Sequence, residues 1–210
     1  MSKLLYIQAS PRGERSYCIR TADAFIDAYK KEHPDDRIVT LNVFDEKIPA
    51  FNGFAVQAKY AVMHGKEHTK EHLKAWQNVE QLIEQFKSAD KYVLAVPMWN
   101  FSIPYRLKLY IDNLVQPGYT FTYSQEKGYE GLAGGKPFLV VYSRGGQYQA
   151  GSGAEAFDLQ KKYVDLILGF IGFEDTKSII VEPTLQGGPD IAQEKLAEAI
   201  RQAGRIAADF

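Results

Sequence analysis

The feature that most constrains this chain is an alternation. Five short apolar runs recur along it: Lys3–Ala9, Arg37–Val43, Lys91–Val96, Pro137–Tyr142 and Lys177–Val181. Segments with helical periodicity lie between them. The third and fourth runs, KYVLAV and PFLVVY, have no polar face. Strands apolar on both faces belong in parallel sheets covered on both sides. Parallel neighbours need a crossover connection, and a helix is the usual one. The pattern predicts an α/β fold: a doubly wound, five-stranded parallel sheet with helices on both faces.

The helices have legible faces. Ile19, Ala22, Phe25, Ile26 and Tyr29 share one face of the first, and Pro34 closes it. Phe44–Gly53 holds Pro49 and Asn52-Gly53 and reads as a loop. Phe54–His64 is weakly helical. Leu73, Trp76, Val79, Leu82, Ile83 and Phe86 mark a stronger helix ending near Ser88. Pro104 suits the first turn of a helix carrying Leu107, Ile111 and Leu114. Tyr119–Ser124 is β-rich and predicts a small hairpin arm. Ser152 and Glu155 form a capping-box pattern before a helix reaching about Ile171. A last helix, Ile191–Ala208, would turn Leu196, Ile200, Ala203 and Ala207 inward. Neither repeats nor a linker divide the chain, so residues 1–210 are expected to form one domain.

Composition removes several classes of function. Lys and Arg number 25 against 26 Asp and Glu, a net charge of −1. A nucleic-acid binder held by charge would be basic. The single cysteine, Cys18, excludes an internal disulfide and a C-x-x-C pair. No apolar run is long enough to span a membrane. The apolar stretch within Met1–Ala9 is too short for a secretory signal. A cytoplasmic protein is the expectation. Aromatic residues are plentiful, with 13 Tyr, 12 Phe and 2 Trp, enough to build a core and also a site for flat, conjugated molecules.

Ligands of open α/β sheets bind beyond the carboxyl ends of the strands. Three post-strand loops carry unusual residues: Ser10–Ser16 (SPRGERS), Pro97–Pro104 (PMWNFSIP) and Ser143–Tyr148 (SRGGQY). They follow runs one, three and four. Those runs lie side by side in the strand order 2-1-3-4-5 but not in 3-2-1-4-5-6. Only the flavodoxin-like order brings the three loops to one pocket.

The first loop has hydroxyls at both ends and opens a helix, which suits a phosphate. It holds Gly13 where a dinucleotide fingerprint needs three glycines, and Leu41-Asn42-Val43 offers no acidic residue for a ribose. A phosphate monoester fits better. The plainer alternative is a polar turn with Arg12 and Arg15 in solvent. In the second loop Met98, Trp99, Asn100 and Phe101 are costly to expose. They form either a plug over the sheet end or a cradle for a flat heterocycle. In the third, Gly145-Gly146 allows close backbone approach and Tyr148 supplies a hydroxyl. Phosphate, flat ring and close backbone together point to FMN.

With these motifs, and with FTY at Phe121–Tyr123 and LGFIG at Leu168–Gly172, the sequence resembles the FMN-dependent NADH azoreductase and quinone reductase family. The resemblance covers nearly the whole chain. It implies that Ser10, Ser16, Tyr17 and Cys18 surround the FMN phosphate. It implies that Met98, Trp99, Asn100, Phe101, Ser143, Arg144, Gly145 and Gly146 line the ring. Tyr123 and Phe170 match positions near the bound acceptor. Family members often carry Ser at position 18, and some carry His at position 148. Either Tyr or His could donate toward the N1–C2=O side of the ring. The resemblance implies ping-pong chemistry: NADH or NADPH gives hydride to flavin N5, then a quinone or azo compound takes the electrons. No catalytic side chain or metal is required. It also implies a homodimer whose active site is shared between subunits, acting on small aromatic or quinone acceptors.

Other readings stand beside these. The alternative function is a flavodoxin-like electron-transfer protein, which would favour an acidic surface. A third is a flavin-binding redox sensor. Cys18 is near a helix N-terminus, where thiols acidify, yet a small packing residue is the preferred account. His64, His68 and His72 follow i, i+4, i+8 spacing, but Gly65 interrupts them and a solvated face is the simpler account.

Overall fold

The structure, a computed structural model, describes residues 1–210. In chain order its elements are β1 (Lys3–Gln8), α1 (Tyr17–Glu32), β2 (Arg37–Asn42), α2 (Gly53–Met63), α3 (Lys70–Lys87), β3 (Lys91–Pro97), α4 (Tyr105–Leu114), β4 (Phe121–Ser124), β5 (Gly128–Gly131), β6 (Phe138–Ser143), α5 (Leu159–Phe170), β7 (Thr176–Val181) and α6 (Gly188–Ala208). Five strands form one parallel sheet in the order β2-β1-β3-β6-β7. Counting only these strands, that is 2-1-3-4-5, as the sequence predicts.

The two-residue side-chain period of the strands sorts their residues into two cores. Leu5, Ile7, Tyr92, Leu94, Phe138 and Val140 face α3, α4 and α5, where they meet Trp76, Ile83, Phe86, Leu107 and Val164. Leu4, Tyr6, Val93, Ala95, Leu139 and Val141 face α1 and α6. There Ile19, Phe25 and Tyr29 of α1 meet Ala199, Ala203 and Ala207 of α6. Small residues on α6 let it lie close against α1.

Several local expectations change. Pro104 is the N-cap of α4 rather than a first-turn residue. Ile200 is turned outward, and Ala199 takes the inward place because this face of α6 accommodates small side chains. Leu73 is also exposed. The Ser152/Glu155 capping box does not form. Ser152 Oγ accepts from Ala154 N–H at 3.2 Å, and Glu155 Oε1 from Gly151 N–H at 2.6 Å, within the loop. The true cap of α5 is Asp158, whose Oδ1 accepts from Lys161 N–H at 2.9 Å. Its other carboxylate oxygen meets a buried arginine, described below.

The predicted arm is present. Phe121–Ser124 pairs antiparallel with Gly128–Gly131, setting Tyr123 opposite Tyr129. Its base is clamped to the turn after α5. Leu132 N–H donates to Thr120 O at 2.8 Å and Ala133 N–H to Ile171 O at 2.9 Å. The two backbones touch here, because a Cβ on Gly131 or Gly134 would overlap backbone atoms of Gly172. The substitution Gly134→Ala is therefore expected to destabilise the fold by about 2 kcal/mol or more, read as a lower urea midpoint.

Candidate functional site

The sheet register carries the candidate loops to one edge. Gln8 pairs with Ala95, and Pro97 with Ser143. The ladder continues one step into the loops, where Ala9 N–H donates to Ala95 O at 2.9 Å and Met98 N–H to Ser143 O at 2.8 Å. The loops after β1, β3 and β6 thus emerge side by side.

The first loop is built around the start of α1. Gly13 turns the chain at φ +53°, a single 3₁₀ turn follows, and Ser16 takes the N-cap position with extended backbone. No side chain caps the helix, so its first-turn N–H groups remain available. Ser10 and Ser16 are buried. Ser16 Oγ lies 3.1 Å from Cys18 Sγ, and the Ser143 hydroxyl also reaches that sulfur. Buried hydroxyls, free amides and the positive end of a helix dipole make an anion cradle. Arg12 and Arg15 project into solvent.

Cys18 is completely buried. Burial pushes its thiol above the ordinary cysteine range, against the opposing pull of the Ser16 and Ser143 hydroxyls. The packing role accounts for it. Cys18 is expected to resist an aromatic disulfide reagent at pH 8 and to react stoichiometrically once the protein is unfolded.

The second loop is a tight reversal. Trp99 and Ser102 exchange two backbone hydrogen bonds, both 2.9 Å. Between them Asn100 and Phe101 have φ of +47° and +69°. Asn tolerates the left-handed region, whereas a bulky Phe there costs roughly 1–3 kcal/mol. Surrounding contacts hold it. Phe101 packs on Phe157 with centroids 5.3 Å apart and edge-on to Tyr148 at 6.3 Å. Its carbonyl accepts from Leu159 N–H at 3.1 Å. Trp99 leans on Phe44 at 5.8 Å. Trp99 and Phe101 nevertheless remain partly open, 36% and 45% exposed. Beside them a groove of about 630 Å³ is lined by Trp99, Asn100, Tyr105, Lys108 and Tyr163 among others.

The third loop differs from expectation at Arg144. Its guanidinium turns inward and is buried. Nη1 meets Glu182 Oε2 at 3.2 Å, and Nε donates to Gln160 Oε1 at 3.1 Å. Nη2 makes an ionic contact with Asp158 Oδ2 at 2.8 Å that lacks hydrogen-bond alignment. Its backbone is engaged too, with N–H donating to Val181 O at 3.0 Å and C=O accepting from Thr184 N–H at 2.9 Å. Arg144 supports the loop and does not line it. Gly145 and Gly146 run along the rim, and the Tyr148 ring folds over Gly146.

Tyr123 and Phe170 are not brought to these loops. The N-terminus of α5 touches Phe101, so Phe170, at the other end of its 12 residues, lies about 18 Å away along the helix. There it packs on Phe121 at 4.8 Å and Tyr129 at 5.5 Å. Tyr123 stands 4.9 Å from Tyr129 and is 61% exposed. Within one chain they form a separate aromatic cluster at the amino end of the sheet.

The sequence reading missed the supports. Phe44, Phe157, Asp158, Gln160 and Glu182 steady the loops, yet all lie outside them in sequence. The three histidines have local partners. His72 closes a capping box with Thr69, His68 Nδ1 contacts Lys66 O at 2.8 Å, and His64 stacks on Tyr60.

Residues 2–206 match the family model described as "Flavodoxin-like fold". The chain belongs to that family. It is 53% identical over 210 residues to an FMN-dependent NADH:quinone oxidoreductase of Nitratidesulfovibrio vulgaris, with both chains fully covered. A protein of the same name from Desulfotalea psychrophila is 48% identical, over 88% of this chain and 87% of that one. Among solved structures, an azoreductase from Bacillus anthracis superposes with TM-score 0.92 at 33% identity over the full length of both chains. An FMN-dependent NADH-azoreductase of the same organism, solved with FMN, superposes with TM-score 0.87 at 30% identity, over 99% of this chain and all of that one.

Proposed function

We propose that this protein is an FMN-dependent oxidoreductase that uses NADH to reduce quinones and azo compounds, and that residues 1–210 act as one FMN-binding unit. One observation carries the reading. An uncapped helix N-terminus with buried hydroxyls stands beside a strained aromatic turn and a glycine rim, all on one sheet edge. The names borne by the relatives support it and weigh against a simple electron carrier.

The residues present fit the cofactor. The phosphate end would be held by Ser10, Ser16 and the first-turn N–H groups of α1, including those of Tyr17 and Cys18. The ring would lie against Met98, Trp99, Asn100 and Phe101, with Gly145, Gly146 and Tyr148 on its other border. When bound, FMN would supply the hydride- and electron-transfer chemistry between NADH and the acceptor. The chain binds, orients and excludes water. Trp99 and Phe101 offer flat apolar surface for a stacked partner. The Tyr148 hydroxyl is a donor toward negative charge that develops on the ring. Ser143 and Cys18 brace the phosphate loop from beneath.

The position of Tyr123 and Phe170 supports a homodimer with a shared site. They are a helix length from the loops of their own chain, so only a second copy could bring them to the flavin. The surface between the two regions exposes Tyr105, Phe157, Leu166 and Tyr129, an apolar area suited to burial. No helix is long and apolar enough to cross a membrane.

The test is direct. Purified protein should bind FMN, turn yellow, and oxidise NADH with menadione and with an azo dye as acceptors. Protein that takes up no FMN would overturn the reading. Ser16→Ala should weaken FMN binding about tenfold, the effect of one hydrogen bond to a charged group, measured by fluorescence titration. Tyr123→Ala should leave FMN affinity unchanged and raise the KM for menadione.

A further inference from the structure

β7 contributes none of the three loops. Its next residue, Glu182, nevertheless ends up beneath the third. The Glu182 side chain is only 7% exposed. A single oxygen, Oε2, accepts from Arg144 Nη1 and from the backbone N–H of Tyr148, both at 3.2 Å. Arg144 in turn is fixed by Asp158, the cap of α5, and by Gln160, whose Nε2 donates to Val96 O at 3.0 Å. Glu182 is therefore the link between the buried Arg144 hub and the exposed end of the loop. Gln147 on one side of Tyr148 and Gln149 on the other are exposed. The carboxylate is the polar contact that holds the Tyr148 backbone.

The charges make the arrangement informative. One guanidinium meets two buried carboxylates, Asp158 and Glu182. Neutralising Arg144 needs only one of them, and Asp158 already serves as a helix cap. A second carboxylate costs desolvation. Its additional contact is Tyr148 N–H.

We propose that Glu182 is a positioning residue for the flavin reaction: it holds Tyr148 over Gly146, and so sets where the tyrosine ring and hydroxyl meet the cofactor. The proposal rests on the FMN reading above. It places in a supporting role a residue that lies outside every ligand-facing loop.

The test is a double-mutant cycle on the FMN-loaded protein, with Glu182→Ala, Tyr148→Ala and the pair. Glu182→Ala leaves Arg144 balanced by Asp158, which favours folding, and a melting curve checks it. If that variant does not fold, Glu182→Asp, one methylene shorter, replaces it in the cycle. Glu182→Ala should shift the visible band of bound flavin and lower kcat/KM for menadione roughly tenfold, the scale of one lost hydrogen bond. In the Tyr148→Ala background it should have no further effect. Glu182→Gln, which keeps an oxygen acceptor, should restore both readouts. Three results would each overturn the placement role: a Glu182→Ala loss that persists in full in the Tyr148→Ala background, a Glu182→Gln variant as impaired as Glu182→Ala, or FMN bound by every variant with unchanged spectrum and kinetics. Failure of the wild-type protein to take up FMN would instead overturn the flavin reading, and the proposal with it.

Discussion

Pro97 lies opposite Ser143 at the carboxyl edge of the sheet, and the rest of the candidate site depends on that parallel register. Both faces of the sheet are covered by helices, so its backbone groups can be satisfied only by neighbouring strands. The strands cannot slip without moving Phe138, Val140 and Tyr142 from one core to the other. Because β1, β3 and β6 are adjacent and in step, their loops leave the sheet at one level. An uncapped helix start with buried hydroxyls, an aromatic turn and a glycine rim are thereby set side by side without any contact among the loops themselves having to specify it.

The site then stores local strain on a rigid base. Phe101 sits in left-handed backbone that a bulky residue does not choose. It is held by Phe157 at one side, by Tyr148 at another, and by the hydrogen bond from Leu159 at the head of α5. The same helix end supplies Asp158 and Gln160 to Arg144. One buried guanidinium thus ties the second loop, the third loop and β7 together. The Arg144 cluster is a costly thing to bury, and its partners show why it is tolerated: Nε donates to Gln160 and Nη1 to Glu182, while the Asp158 carboxylate adds an ionic contact at Nη2.

Much of this was legible in the sequence because periodicity is a local signal. The five apolar runs, the faces of α1 and α3, and the hairpin arm all followed from spacing over a few residues. The three loops were legible for a different reason: Trp99, Asn100 and Phe101 in a row, or Gly145-Gly146 after a buried strand, are out of place unless something covers them. The misreadings were also physical. Ser152 and Glu155 had capping-box spacing, but Asp158 was drawn inward by Arg144 and took the cap. Ile200 fitted a helical stripe, but the α1–α6 contact is too close for it. The family resemblance implied that Arg144 lines the ring, but its side chain turns inward to Asp158, Gln160 and Glu182, partners 14 to 38 residues away in sequence.

By itself the sequence determined the fold class, which rests on residue type and short-range spacing, and the strand order, which follows from requiring the three loops with unusual residues to meet at one edge. Tertiary structure alone decided which side chains of the loops stay at the surface and which turn inward to hold the loops. It turned Arg144 inward and brought Glu182 beneath Tyr148. It also set Tyr123 and Phe170 a helix length from the loops of their own chain. Those outcomes depend on distances between segments far apart in sequence, which only packing of the whole chain sets.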